Sequence, residues 1–387
     1  MSTSDYVVFL NTDDDCTVLG RHHGSATAAR VSLYRADKLS GSVSNVPLWL
    51  DPSLDGFPGA DPESGWYKVL SEFTGFENFA DPSFVAKPSA PDVRQFVKEV
   101  LDACLAHKPA WLSVPQLAQV DSTAHNKVNK MLAAEAGAYL TKKFRGKIIL
   151  PAVFTNQRQL NNKTARTAKL ASIQACAAAA GADGAWLVDS SLGDQSAAGT
   201  FVETRFPGVV CMHQELAAAA PNLSIVAGPY WGLNLVLWAR SLATNPAIGA
   251  GSAYQYYQPG RPLKGGVARL ALGPLRRWAR ADANLKTWLT DVAKALGAAD
   301  PAKKKFQDLA TNFGPYTRDN GRNQIAEFYE SWFRSLASVA PGGRTLALYQ
   351  DFSSAYVLGS GLPAISSEKG QASQPGLPAR QFMLNCL

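Results

Sequence analysis

Short apolar segments alternate with long amphipathic segments along most of the chain, and this alternation constrains the fold more than any other feature. The segment 91–107 has apolar residues at helical spacing between Val93 and Cys104, and Asp92 is a suitable N-cap. Lys147–Phe154 is instead a short apolar run typical of a buried strand. Strands that are separated by helices in this way form parallel βαβ units.

We therefore predict a (β/α)8 TIM-type barrel. Apolar runs supply its strands at 46–51, 110–114, 147–154, 184–189, 223–228, 247–250, 267–272 and 345–349. Such a number of units favours a closed barrel over an open doubly wound sheet, which is the alternative. Neither a G-x-G-x-x-G after a strand nor a G-x-x-x-x-G-K-[ST] sequence occurs, so no nucleotide-binding fingerprint supports the open sheet.

The two ends of the chain differ from this pattern. Residues 1–45 contain short β-like pieces separated by turn residues, and we predict that they form a small N-terminal β extension. The barrel is then predicted to occupy 46–350. Residues 351–387 are rich in Gly, Ser and Pro, which predicts an irregular C-terminal tail.

Composition narrows the function only broadly. The net charge of +7 permits a phosphate or nucleic-acid partner without requiring one. Five scattered cysteines without CxxC spacing, no signal peptide and no apolar stretch of about 18 residues predict a reduced, cytoplasmic protein outside the membrane. No metal-ligand spacing is present, and no cofactor is predicted. Such a protein could form an oligomer or belong to a multi-subunit complex.

Residues just past the C-terminal ends of barrel strands face the substrate in this fold, and two aspartates stand there. Asp51 and Asp189 each directly follow a strongly apolar strand, so we predict that they act as acid/base groups or as a nucleophile. Alternatively, each could cap the next helix or pair with an arginine at the rim. Asp55 and Asp194 have a more exposed pattern and are predicted to be turn residues.

Polar and aromatic residues of the later strand-end loops are predicted to bind substrate. The aromatics could stack a base or sugar ring, or close the top of the barrel by packing. The arginines could hold phosphate, or lie at a solvated helix start. The predicted binding residues are Asn156, Tyr230, Trp231, Asn234, Tyr254, Tyr256, Arg276, Arg277 and Arg280.

Three segments resemble, in order, strand-end motifs of the tRNA-guanine transglycosylase family. They are Asp51 with Gly56-Phe57, Ile248-Gly-Ala-Gly251 and Pro274-Leu-Arg-Arg-Trp-Ala-Arg280. The resemblance implies a barrel that exchanges a base through a covalent aspartate–sugar intermediate, with Asp51 as the acid/base residue. The chain departs from the family at the nucleophile, where Arg269 and Leu270 stand, and in lacking the cysteine-rich zinc site. The nucleophile is then lost, or replaced by Asp189.

We therefore predict a barrel enzyme, like a transglycosylase or N-glycosidase, that acts on a nucleoside, nucleotide or nucleic-acid base through strand-end carboxylates. Two alternatives remain open. A carbohydrate-active hydrolase could use the same carboxylates, because paired acids and aromatic platforms serve sugars equally well. A catalytically silent barrel could instead act as a nucleic-acid-binding or assembly subunit, because no catalytic motif is complete.

Overall fold

Eight parallel strands form a closed barrel in the computed structural model. It describes residues 5–386 except 44, 58–60, 81–88, 121, 156–157, 191, 193–199, 231–232, 251–255, 257, 261–267, 313–317 and 367–371. The strands are β1 Val7–Leu10, β2 Ala28–Ser32, β3 Leu48–Asp51, β4 Trp111–Ser113, β5 Lys147–Phe154, β6 Gly184–Asp189, β7 Ser224–Ala227 and β8 Asn245–Gly249. Each strand pairs with the next in parallel, and β8 pairs with β1 to close the ring. The predicted (β/α)8 class is confirmed.

Helices follow most of these strands, as the alternating pattern predicts. They are α1 Asp13–His22, α2 Ala36–Leu39, α3 Gly65–Leu70, α4 Glu77–Ala80, α5 Ala90–Ala106, α6 Thr123–Lys143, α7 Arg158–Asn161, α8 Lys163–Ala180, α9 Thr200–Ala219 and α10 Leu233–Ala239. The N-cap of α5 is Ser89 rather than Asp92. Asp92 is the third helical residue and completes a capping box with Ser89.

The first two barrel strands lie in the segment that was predicted to be an N-terminal extension. The acidic run of residues 13–15 resembles a turn in the sequence, but it is the first turn of α1. Thr12 caps this helix, and the Asp15 carboxylate accepts a hydrogen bond from the Thr12 backbone N–H at 3.0 Å. A helix between β1 and β2 makes this segment a βαβ unit, so the barrel starts at Val7 and not at residue 46.

Two predicted strands at the other end do not belong to the barrel. The run 267–272 contains β9, Arg269–Leu272, which pairs antiparallel with β10, Arg277–Arg280. The run 345–349 lies in helix α14, Arg344–Ser360, where Leu348, Phe352 and Ala355 are buried at helical spacing. A run of five apolar residues fits either element, so periodicity alone could not separate them.

The chain divides into two compact units, Met1–Leu192 with Gly208–Lys264, and Gly193–Pro207 with Gly265–Leu387. The second unit contains β9, β10 and α14 together with α11 Ala283–Ala295, α12 Pro301–Thr311, α13 Arg318–Ala337, β11 Ile365–Ser366, β12 Ala372–Ser373 and α15 Leu377–Asn385. Its core includes Leu272, Leu289 and Phe306, all fully buried. The predicted irregular tail therefore contains a short hairpin and a helix. No helix in the described part of the chain combines the length and apolar character needed to cross a bilayer.

Candidate active site

The interior of the barrel is aromatic and surrounds a buried arginine. The rings of Phe9, Trp49 and Trp186, from β1, β3 and β6, contact one another edge to face with centroids 5.2–5.9 Å apart. The Arg30 guanidinium lies 4.7 Å from the Phe9 ring centroid and 4.6 Å from that of Trp186. A guanidinium over aromatic faces is stabilised by their quadrupoles, but a buried charge also needs an opposite charge.

Asp51 provides that charge at the C-terminal end of β3. Its Oδ2 atom forms an ion pair with Arg30, and both side chains are at most 3% exposed. Strand register explains the meeting, because Arg30 pairs with Trp49, two residues before Asp51. Side chains two apart on a strand face the same way, so β2 and β3 both direct these groups into the barrel.

Ser53 links the ion pair to the loop that follows. Its hydroxyl lies 2.8 Å from Asp51 Oδ2 and 2.9 Å from Arg30 Nη2, and Ser32 Oγ lies 2.7 Å away. Ser53 has a φ of 58°, in the left-handed region that non-glycine residues rarely adopt. Trp66 holds this conformation by donating from Nε1 to the Ser53 carbonyl at 2.9 Å. Strained residues of this kind concentrate at functional sites.

Asp55 is the second carboxyl of the site; it is a turn residue as predicted, but the prediction that it is exposed is wrong. It lies in a buried 3-10 turn, Leu54–Gly56, and is 2% exposed. The Tyr256 hydroxyl lies 2.9 Å from both of its carboxyl oxygens. Gln258 donates from Nε2 to the backbone carbonyl of Asp55 at 2.6 Å.

The environment of Asp55 favours its protonated form. Burial is the main cause and the negative charge of Asp51 the second; together they raise the pKa of Asp55 to about 7, although Arg30 and the Tyr256 hydrogen bond act in the opposite direction. Asp55 can therefore gain or lose a proton near neutral pH. The Asp51 carboxylate, by contrast, is in direct contact with the Arg30 guanidinium.

The other predicted catalytic residue, Asp189, faces away from this cluster. Trp186 points into the barrel, whereas Leu187 packs on the outer side with Val209 and Met212 of α9. Because strand residues alternate, Asp189 lies on the outer face with Leu187. Its backbone N–H donates to the Tyr230 hydroxyl at 2.8 Å. Asp51 and Asp189 thus do not form the predicted pair.

The predicted binding residues have mixed positions. Tyr256 lies at the site, but it is buried against Trp186 and bonded to Asp55, so it offers no exposed stacking face. Tyr230 is also buried and packs on the outer side of the barrel wall. Asn234, in α10, donates from Nδ2 to the Ala247 carbonyl at 2.7 Å. Asn156, Trp231 and Tyr254 lie outside the described residues.

The three predicted phosphate-binding arginines follow no barrel strand. They belong to the second unit, around β10, because the run before them is a hairpin strand. Arg276 pairs with Asp351 at 2.9 Å, and Arg280 lies 3.7 Å from Asp282. Arg277 is 1% exposed and donates to the Pro375 carbonyl at 3.3 Å.

One signal in the sequence could have identified Arg30 as a residue of the site. Arg30 interrupts the otherwise apolar strand Ala28–Ser32, and a buried arginine needs a carboxylate partner. Asp51 ends the next strand along the chain, so a pair between them follows from barrel order.

Comparison with models of protein families gives no match, and comparison with curated proteins gives none either.

Proposed function

We propose that the barrel unit is an enzyme that breaks or exchanges a glycosidic bond of a nucleoside or nucleic acid, with Asp55 as the group that transfers the proton. One observation carries this proposal. Two carboxyls four residues apart lie in different electrostatic environments, Asp51 in an ion pair with Arg30 and Asp55 in a buried site that raises its pKa to about 7. Pairs of titratable groups with diverging environments mark acid and base roles in enzymes.

The chemistry follows from the proton affinity of Asp55. A general acid is most effective when its pKa is close to the working pH, because it then holds a proton and can still release it. In glycoside cleavage that proton goes to the leaving atom as the bond to the sugar carbon breaks, and water or a second base completes the exchange. Asp51 acts here as a positioning residue, because its charge raises the pKa of Asp55.

The substrate class rests on the resemblance to the transglycosylase family. Asp51 and Gly56-Phe57 are the residues of that resemblance, and they belong to the buried segment 51–57 that carries both carboxyls. A carbohydrate-active hydrolase would use the same pair. The two activities differ in the substrate that they act on. The first releases free base from nucleosides or nucleic acid, and the second releases nitrophenol from nitrophenyl glycosides.

The decisive experiment compares Asp55→Asn with the wild-type chain on bulk tRNA, DNA, mixed nucleosides and nitrophenyl glycosides. We expect base release from a nucleoside or nucleic acid, and a loss of about 10²- to 10⁴-fold in the variant, the usual contribution of a general acid. Asp37→Asn is the control, because Asp37 is an exposed carboxylate of the same unit. Equal turnover by Asp55→Asn and wild type would overturn the assignment.

A catalytically silent barrel is the second candidate, and the burial of the whole cluster favours it. Arg30, Asp51, Ser53 and Asp55 are all at most 3% exposed. On this alternative they hold the strand ends together, and the protein binds a partner elsewhere. No turnover of any of these substrates by the wild-type chain would support this candidate over the enzyme.

A further inference from the structure

The second unit contains a cavity that the proposed chemistry does not use. Its volume is about 520 Å³, and it lies between β9 with the turn that follows it, helix α12 and helix α13. Sites for small ligands usually measure about 300–1,000 Å³. The cavity is therefore large enough for a molecule with one ring system and a few polar groups.

One wall of the cavity is a single face of α12. Lys305, Asp308, Leu309 and Asn312 line it. Their spacing of three, four and seven residues brings them to one side of a helix. This wall presents a cation, a carboxylate and an amide around one apolar side chain.

The facing wall is mostly apolar, and it is fixed in place. Leu270, Ala271 and Pro274 line it. Gln324 of α13 holds the strand by pairing with the Ala271 backbone as another strand would: its Oε1 accepts from the N–H at 2.8 Å and its Nε2 donates to the carbonyl at 2.9 Å. A rigid apolar wall opposite a polar one is suited to a flat ring with a hydrogen-bonding edge.

The polar groups of the α12 wall are not engaged by other residues within the described part of the chain. In the part of the chain that the structure describes, the side chains of Lys305, Asp308 and Asn312 form no hydrogen bond or ion pair with other residues. All three are exposed to solvent at the cavity rim. They can therefore bind a ligand without giving up a partner.

The charge of this part of the chain indicates the sign of its ligand. Residues 265–387 contain 15 Lys and Arg and 9 Asp and Glu, so they carry +6 of the total net charge of +7. Lys303, Lys304 and Lys305 are consecutive on α12. A net positive charge attracts phosphate-bearing ligands.

We propose that this cavity binds a nucleotide, with its base between Leu309 and the β9 wall and its phosphate on Lys305. Asp308 accepts from N–H groups of the base, and the Asn312 amide can donate or accept at the same edge. The nucleotide is either a free mononucleotide or one unit of a single-stranded nucleic acid. The proposal goes beyond the glycosidic chemistry and requires neither Asp51 nor Asp55.

The test measures binding of AMP, GMP, CMP and UMP by calorimetry, and of a labelled single strand of about 12 nucleotides by anisotropy, a length within the usual sites of single-strand binders. Lys305→Ala removes the phosphate contact, and we expect it to weaken binding about tenfold, as for loss of one charged hydrogen bond. Lys304→Ala is the matched control, because it removes the same charge one residue outside the cavity; we expect less than about a twofold change there. Both lysines are exposed, so neither variant threatens folding.

Each outcome decides the proposal. Mononucleotide binding that depends on Lys305 and not on Lys304 supports a free nucleotide, and the same dependence with the strand alone supports a nucleic acid. Equal weakening by both variants would indicate a diffuse basic surface and overturn the cavity assignment, as would no binding of either probe. Repeating the measurement in Asp55→Asn separates the two proposals, because we expect its binding to equal that of the wild type.

Discussion

Tyr256 and Asp55 are 201 positions apart in the sequence, yet the Tyr256 hydroxyl lies 2.9 Å from both carboxyl oxygens of Asp55. The bond connects the segment after β8 with the segment after β3. The same tyrosine ring lies 4.8 Å from Trp186 and 5.3 Å from the Arg30 guanidinium, measured between ring centroids and from Cζ. Tyr256 thus packs against the buried charged groups, and its hydroxyl influences how readily Asp55 ionises.

Asp55 makes the stability of the protein depend on pH. Its folded pKa of about 7 is above its unfolded value of about 4, so the unfolded chain loses this proton first as pH rises. The free energy of unfolding should therefore fall by a few kcal/mol between pH 4 and 7 and then level off, at about 1.4 kcal/mol per pKa unit. Asp55→Asn should lack this component, which urea unfolding of both proteins across that range will measure. Parallel pH profiles for the two would contradict the assignment.

Tyr256→Phe should raise the pKa of Asp55 further. The hydroxyl hydrogen bond favours the ionised carboxylate, and the phenylalanine ring keeps the packing against Trp186 without it. The comparison is between Tyr256→Phe and the double variant that also carries Asp55→Asn. Their difference in unfolding free energy isolates the contribution of Asp55, and it should level off at a pH above 7. Tyr67→Phe is the control, because Tyr67 lies in the neighbouring aromatic cluster with Phe57 and not against Asp55. A shift in the acid direction would show that Tyr256 acts otherwise.

The ion pair between Arg30 and Asp51 should behave as a unit. Arg30→Met or Asp51→Leu alone leaves one buried charge without its partner, which costs about 3–5 kcal/mol of unfolding free energy. The double variant replaces both charges by apolar groups and should recover most of that loss. Urea unfolding of the four proteins gives the coupling energy. Additive losses in the double variant would mean that the charges do not depend on each other.

The sequence predicts the barrel because the alternation of apolar runs and helices is repeated along the chain. Prediction from the sequence fails for single elements and residues, whose signals are local. Six of the eight strands are recognised from apolar runs between helices. The first two are not, because the acidic turn 13–15 reads as a loop until its capping box with Thr12 is seen. Asp51 is found because it ends a strand. Asp55 is missed because its burial depends on Tyr256 and Gln258, which come from a segment far along the chain.

Gly56 should tolerate no larger residue, although its neighbourhood looks like an ordinary turn. A Cβ at this position would lie 2.7 Å from the Pro259 carbonyl oxygen and 2.8 Å from Trp66 Cη2. Gly56→Ala should therefore destabilise the protein by about 1–3 kcal/mol, because the backbone at Pro259 has to move. At Gly65, a few residues later, a Cβ would meet nothing within 4 Å, so Gly65→Ala is the matched control with little or no loss. Thermal unfolding distinguishes them, and equal melting temperatures would show that the loop yields.

Gln324 should stabilise the second unit by completing the edge of β9. Its amide satisfies both the N–H and the carbonyl of Ala271, which is fully buried. Gln324→Ala leaves these two groups without partners, at about 1–3 kcal/mol each where water does not replace the amide. Because the cavity lies against this strand, water can enter there, so we expect a total loss of about 2 kcal/mol in urea unfolding. Gln307→Ala removes the same side chain from an exposed position on α12 and should change stability by less than about 0.5 kcal/mol. Gln324→Glu separates the two bonds, because a carboxylate still accepts from the Ala271 N–H but cannot donate to its carbonyl. A loss of stability in Gln324→Ala as small as that in Gln307→Ala would mean that the strand edge needs no partner.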